Sequence, residues 1–150
     1  MKIIPSLLFL ILILSGCATT STSHIQQGKE SELKEITTVA VGQFQSSDEA
    51  ISQAVRNTII EMLLPSGVRI INNKASADVV IEGSITFSHD ATAAIAGSYV
   101  SGITAQLIRG DEIIAAASET QGRSAWIPYP DPPEVMARKI GKKIKKMFGR

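Results

Sequence analysis

The clearest pattern along the chain is a strict alternation. Between residues 78 and 88, Val79, Ile81, Gly83, Ile85 and Phe87 fall on one side and Val80, Glu82, Ser84, Thr86 and Ser88 on the other. Period two with one mostly polar side predicts an antiparallel strand, one face on a core and one in water. A second long strand is predicted over residues 98–109, with Tyr99, Ile103, Ala105 and Leu107 inward, and a third over residues 112–119. Gly110-Asp111 between them suits a type II′ hairpin turn, whose first central residue needs a positive φ. Residues 36–44 (ITTVAVGQF) and 68–71 are β-branched and apolar, and predict two earlier strands.

Two stretches switch to helical spacing. After Ser46-Ser47-Asp48-Glu49, where Ser46 and Glu49 have the spacing of a capping box, Ile51, Ala54, Val55, Thr58, Ile59, Met62 and Leu63 share one face. Pro65-Ser66-Gly67 ends that helix. From residue 133 to residue 149, Met136, Ile140, Ile144, Met147 and Phe148 recur at the same spacing. The order βαββββα predicts an α+β fold: a mainly antiparallel sheet of four to five strands with two helices packed on one face. Gly83, inward on the most regular strand, marks a close approach, expected from the first helix.

The amino terminus has another logic. Met1 and Lys2 precede an apolar run over residues 3–14, shorter than the roughly 18–20 residues of a membrane span but suited to a signal peptide. The run ends in Leu14-Ser15-Gly16-Cys17, which resembles a bacterial lipobox. That resemblance implies removal of residues 1–16, a diacylglyceryl group on the Cys17 thiol, and a further acyl chain such as palmitate on its freed amine. An ordinary secretory signal or an uncleaved anchor are the alternatives. Ala18, where an inner-membrane retention signal would place Asp, implies a lipid-anchored outer-membrane protein facing the periplasm. Residues 17–35, polar at first, are expected to be a flexible tether with a span of about 25 Å. Residues 36–150 then form a single domain. Cys17 is the one cysteine, so no disulfide framework is available.

Charge is segregated. Arg138, Lys139, Lys142, Lys143, Lys145, Lys146 and Arg150 are basic, and no acidic residue lies among them; all fourteen acidic residues come earlier. The last helix therefore carries a candidate interaction surface: Arg138, Lys139, Lys142, Lys143 and Lys146, with Trp126 and Tyr129 from the proline-rich loop before it. Phospholipid head groups, an acidic partner, or the acidic remainder of the domain are the candidate counterparts. Nucleic acid is excluded by compartment. Catalytic chemistry is sparse. Asp78, Glu82, His89 and Asp90 are better read as solvated strand-end residues than as metal ligands, since Glu82 faces outward. Gly97-Ser98-Tyr99-Val100-Ser101-Gly102 lacks the helix that positions a serine nucleophile. No enzyme activity, cofactor or metal is expected. Residues 91–97 (ATAAIAG) are too short for a transmembrane β-hairpin and are read as a wide loop or strand extension.

At Ala77-Asp78-Val79-Val80-Ile81-Glu82-Gly83-Ser84-Ile85, with Val39-Ala40-Val41-Gly42-Gln43-Phe44 and Gly67-Val68-Arg69-Ile70, the chain resembles the TolB amino-terminal and CsgG-like periplasmic domains. Lipoprotein activators of penicillin-binding proteins share that architecture. The resemblance implies a non-catalytic interaction or assembly module for an envelope machine, with an unidentified envelope protein or further copies of itself as partner. A subunit of a CsgG-like secretion structure and a binder of lipid or envelope polymer are the alternatives. The chain lacks room for the two transmembrane hairpins of full curli-type channels.

Overall fold

The computed structural model describes residues 19–89, 98–122 and 130–149. Cys17 and the signal segment, residues 91–97, Trp126 and Tyr129 lie outside the described residues. Strands β1 (Thr19–Ile25), β2 (Thr38–Gln45), β3 (Arg69–Ile70), β4 (Val79–Ser88), β5 (Tyr99–Arg109) and β6 (Glu112–Gln121) form one sheet in the order β1-β6-β5-β4-β2-β3. Helices α1 (Glu30–Glu35), α2 (Glu49–Leu63) and α3 (Pro133–Met147), with short 3₁₀ turns at Leu64–Ser66 and Lys74–Ser76, complete the described elements. The fold is mixed α+β, with more elements than the sequence pattern implied.

The predicted antiparallel meander is present in β4, β5 and β6. Gly110, with φ 62°, makes the turn between the last two. Strand β2, however, pairs parallel with both β3 and β4, because α2 carries the chain back across the sheet. Three bulges set which side chains face the helices. One extra residue between Val41 and Phe44 returns Phe44 to the core opposite Gly83. A second near Ser101 makes Val100, rather than the expected Tyr99, the buried residue at the start of β5. A third near Ile114 buries Ile114 and Ala115 together.

The core lies between this sheet and α2 and α3, built from Val39, Val41, Ile81, Ile103 and Leu107 below and Val55, Ile59, Leu63, Ile140 and Ile144 above. The two helices touch where Gly141 leaves no room beyond Met62: a Cβ there would sit 2.6 Å from that side chain. Gly83 is also a close approach, but not to α2. A Cβ would lie 1.9 Å from the Thr104 carbonyl oxygen and 2.6 Å from the Phe44 ring. The β2 bulge explains this, since it delivers Phe44 into the space a side chain at residue 83 would occupy. At the start of α2 the capping residue is Asp48, whose carboxylate accepts from the Ile51 N–H, while Ser46 accepts from Asp48 N–H.

Of residues 17–35, expected to be a flexible tether, Thr19–Ile25 and Glu30–Glu35 are instead built into the domain. Thr19–Ile25 runs as β1, in unbroken antiparallel register with β6 from Thr19↔Gln121 to Ile25↔Ala115. Composition hid this because an outer strand with both faces wet needs no apolar alternation. Glu30–Glu35 forms α1, which seats Leu33 in the core and is tied to the β5–β6 hairpin by Lys29–Glu112 and Arg109–Glu32 ion pairs.

Candidate functional site: the β1, β6 and α3 flank

The side chains that set this flank come from the inward side of β6. Period two from Ala115 and Ala117 brings Glu119 and Gln121 onto the core face, beneath α3. Gln121 fixes where the helix starts. Its amide donates to the Val100 and Asp131 carbonyls, at 2.8 and 3.0 Å, and its own carbonyl accepts from Asp131 N–H at 2.8 Å. Pro132 and Pro133 then open α3, where a missing N–H costs nothing.

Among the described residues Glu119 is the one buried charged side chain, 1% exposed. Its Oε1 meets Lys143 Nζ at 2.6 Å and accepts from the Ser21 hydroxyl at 2.5 Å, while its Oε2 has no hydrogen-bond partner among the described residues. Lys143 Nζ also donates to the Thr22 and Ser118 carbonyls, at 2.9 and 2.8 Å. One ammonium thus links α3, β6 and β1. Lys139 pairs with Asp131 at 2.7 Å, and that carboxylate holds its ammonium above the usual lysine pKa.

These contacts divide the candidate interaction surface. Lys139 and Lys143 turn toward the domain and satisfy its own carboxylates. Arg138, Lys142 and Lys146 remain outward on α3, joined by Lys145, and form no ion pair among the described residues. At 100° per residue these four occupy one arc, opposite Met136, Ile140, Ile144 and Met147. Exposed Val135 shares it.

Among the described residues the outer edge of β1 is open as well. Gln26 N–H donates to the Ile114 carbonyl, and by the alternation of antiparallel ladders the N–H groups of Ser21, Ser23 and Ile25 then point away from β6. The strand carries no charged residue, proline or bulge along its seven residues. The opposite edge is β3, two residues long.

Elsewhere, the acidic residues weighed as metal ligands have structural partners. Asp78 accepts from Thr37 N–H, the Thr37 hydroxyl and Thr38 N–H, and Glu82 pairs with Lys74. His89 is exposed, and Asp90 lies outside the described residues. Among the described residues no three His, Cys, Asp or Glu side chains group as metal ligands, and no helix is long and apolar enough to cross a membrane.

Sequence reasoning missed Glu119, Gln121 and the whole of β1. The inward position of the first two was readable from Ala115 and Ala117 by continuing the alternation two steps.

No protein-family model matches the chain, and no curated protein matches it. Its fold is similar to that of PelC from Paraburkholderia phytofirmans, solved as a dodecamer in two crystal forms. The TM-scores are 0.57 and 0.56, with 14% and 16% identity, over 87% of this chain and 96% of that one. It is also similar to a DUF4136 family protein from Bacteroides thetaiotaomicron, with TM-score 0.52 and 9% identity over 88% of this chain and 94% of that one.

Proposed function

We propose that this chain is a lipid-anchored, non-catalytic envelope protein that works as a homo-oligomeric assembly module. Cys17, at the end of the lipobox-like Leu14-Ser15-Gly16-Cys17, carries the acyl chains, and Ala18 directs the protein to the periplasmic face of the outer membrane. One acyl chain anchors only marginally, whereas more than one holds a protein stably. The observation that carries the assembly reading is the open edge of β1. Sheet edges that must stay single are shortened, charged, bulged or interrupted by proline, and β1 has none of these devices while β3 at the far edge is cut to two residues. The PelC dodecamer is a precedent for assembly of many copies on this fold. The TolB- and CsgG-like resemblance supports the same class of role, with an envelope protein as a further partner.

The experiment has two readouts on protein extracted from membranes in mild detergent. Intact mass gives the acylation: the reading expects a chain beginning at Cys17 and carrying lipid, and Cys17→Ser to accumulate as uncleaved, mislocalised precursor. Native mass gives the assembly: the reading expects a defined multiple of the protomer. A Cys17→Ser protein that still matures and fractionates with outer membrane removes the anchor, and a monomer at every concentration removes the assembly.

A further inference from the structure

We infer that the outward stripe of α3, made of Arg138, Lys142, Lys145 and Lys146, lies on the anionic phospholipid head groups of the membrane that holds Cys17. The inference rests on the lipid-anchor reading and adds the face by which the domain meets the bilayer. Three observations carry it.

The first is charge that the fold leaves unused. Of the cations along α3, Lys139 and Lys143 are consumed by Asp131 and Glu119. The four that remain are exposed or half-exposed and point one way. Glu134, one turn before Arg138, is the acidic residue on that arc. Four like charges at i, i+4, i+7 and i+8 repel one another, and a helix keeps that arrangement at a cost that an anionic surface reverses.

The second is the distance to the anchor. With Thr19 already in β1, Thr22 is the fifth residue after Cys17, and five residue steps reach at most about 18 Å. Lys143 on α3 donates to the Thr22 carbonyl at 2.9 Å. The helix is therefore held beside the strand that leaves the acylated residue, with no tether to carry it away from the head groups.

The third is direction. Gln121, the partner of Thr19, holds Asp131 at the start of α3. Lys146 and Met147, near its end, line a depression with Ser23, His24 and Ile25. The helix thus runs along β1 from the anchored end outward, and its length lies parallel to the membrane. The stripe then faces lipid, and exposed Val135 dips among the head groups. Cations near an anionic surface add their attractions, which fall off within a Debye length.

The test uses the acylated protein reconstituted into phosphatidylcholine vesicles and into vesicles that also contain phosphatidylglycerol. The rate at which an amine-reactive reagent labels each lysine is read by mass spectrometry. Lys142, Lys145 and Lys146 should label several-fold more slowly in the anionic vesicles. High salt should abolish the difference, and Lys74, whose partner is Glu82 on β4, should label alike in both. Equal rates for the three lysines in both vesicles overturn the inference. Equal and slow rates in both do so as well, since a neighbouring protein then covers the stripe. Flotation separates the anchor reading: a protein that floats with neutral vesicles is anchored whatever the lysines report. One that floats with anionic vesicles alone keeps the stripe and loses the anchor, and one that floats with neither loses both.

Discussion

The two flanks of the sheet are finished in opposite ways. Around β2, β3 and β4 the polar groups close on themselves. Asp78 at the head of β4 takes three hydrogen bonds from Thr37 and Thr38 at the head of β2, and Thr38 Oγ1 accepts Asp78 N–H in return. The edge is short and the bulge in β2 fills the gap at Gly83. Among the described residues around β1, β6 and α3, a carboxylate is buried with one oxygen unpaired, a seven-residue edge is unpaired, and four cations form no ion pair. The first flank needs nothing beyond its own sequence. The second keeps features that stability alone would remove, and such features mark where a protein meets something else.

The largest effect expected is at Lys143. Lys143→Met strands the Glu119 carboxylate in the interior and should destabilise by about 3–5 kcal/mol, because a buried charge without its partner keeps its desolvation penalty. Replacing both, Glu119→Leu with Lys143→Met, should return stability to within about 2 kcal/mol of the starting protein. Chemical denaturation of the three proteins checks both values, and a double variant as unstable as the single one would show that the pair does more than neutralise itself.

On the self-contained flank, Gly83→Val should cost about 3 kcal/mol, since Phe44 and the β5 backbone must both move. A melting temperature unchanged from wild type would mean that Phe44 vacates the site freely. Asp78→Asn should cost about 2 kcal/mol, as hydrogen bonds to a charged acceptor are exchanged for weaker ones. The Thr37 and Thr38 donors hold the Asp78 carboxyl well below the ordinary aspartate range. Its folded pKa is thus lower than its unfolded one, so its contribution is complete above about pH 4 and falls away as pH drops below that. Denaturation midpoints measured from neutral to strongly acidic pH should decline less steeply in Asp78→Asn than in wild type.

The outer face of α3 should be the most tolerant of change. Charge reversal at Arg138, Lys142 and Lys146 should change stability by no more than about 0.5 kcal/mol per site, because these side chains hold nothing in the domain. A large loss in thermal denaturation would place them among the internal contacts, with Lys139 and Lys143.

Much of the fold away from β1 was legible in sequence. The alternation of Val79 to Phe87, the helical spacing of Ile51 to Leu63 and the glycine at residue 110 each have a local physical cause that acts within a few residues. What escaped was non-local. A bulge adds one residue and moves every later side chain to the other face, so Tyr99 and Val100 exchange roles without any signature in composition. Strand β1 escaped because its partner lies some hundred residues away and neither of its faces is dry. The helix α3 was visible as an amphipathic segment, but which of its lysines turn inward depends on Glu119 and Asp131, known only once β6 and the helix start are in place.

Amide hydrogen exchange on the acylated protein in mild detergent reads out whether another copy of the chain closes the open edge of β1. The N–H groups of Ser21, Ser23 and Ile25 point away from β6, whereas those of Thr20, Thr22 and His24 bond to it. In an assembly built on this edge both sets are protected, and Ser23→Pro, which removes an outward donor and obstructs pairing, should return Ser21 and Ile25 to fast exchange and the particle to a single protomer. Fast exchange at Ser21, Ser23 and Ile25 in the wild-type particle, beside slow exchange at Thr20, Thr22 and His24, would mean that no second copy pairs with this edge.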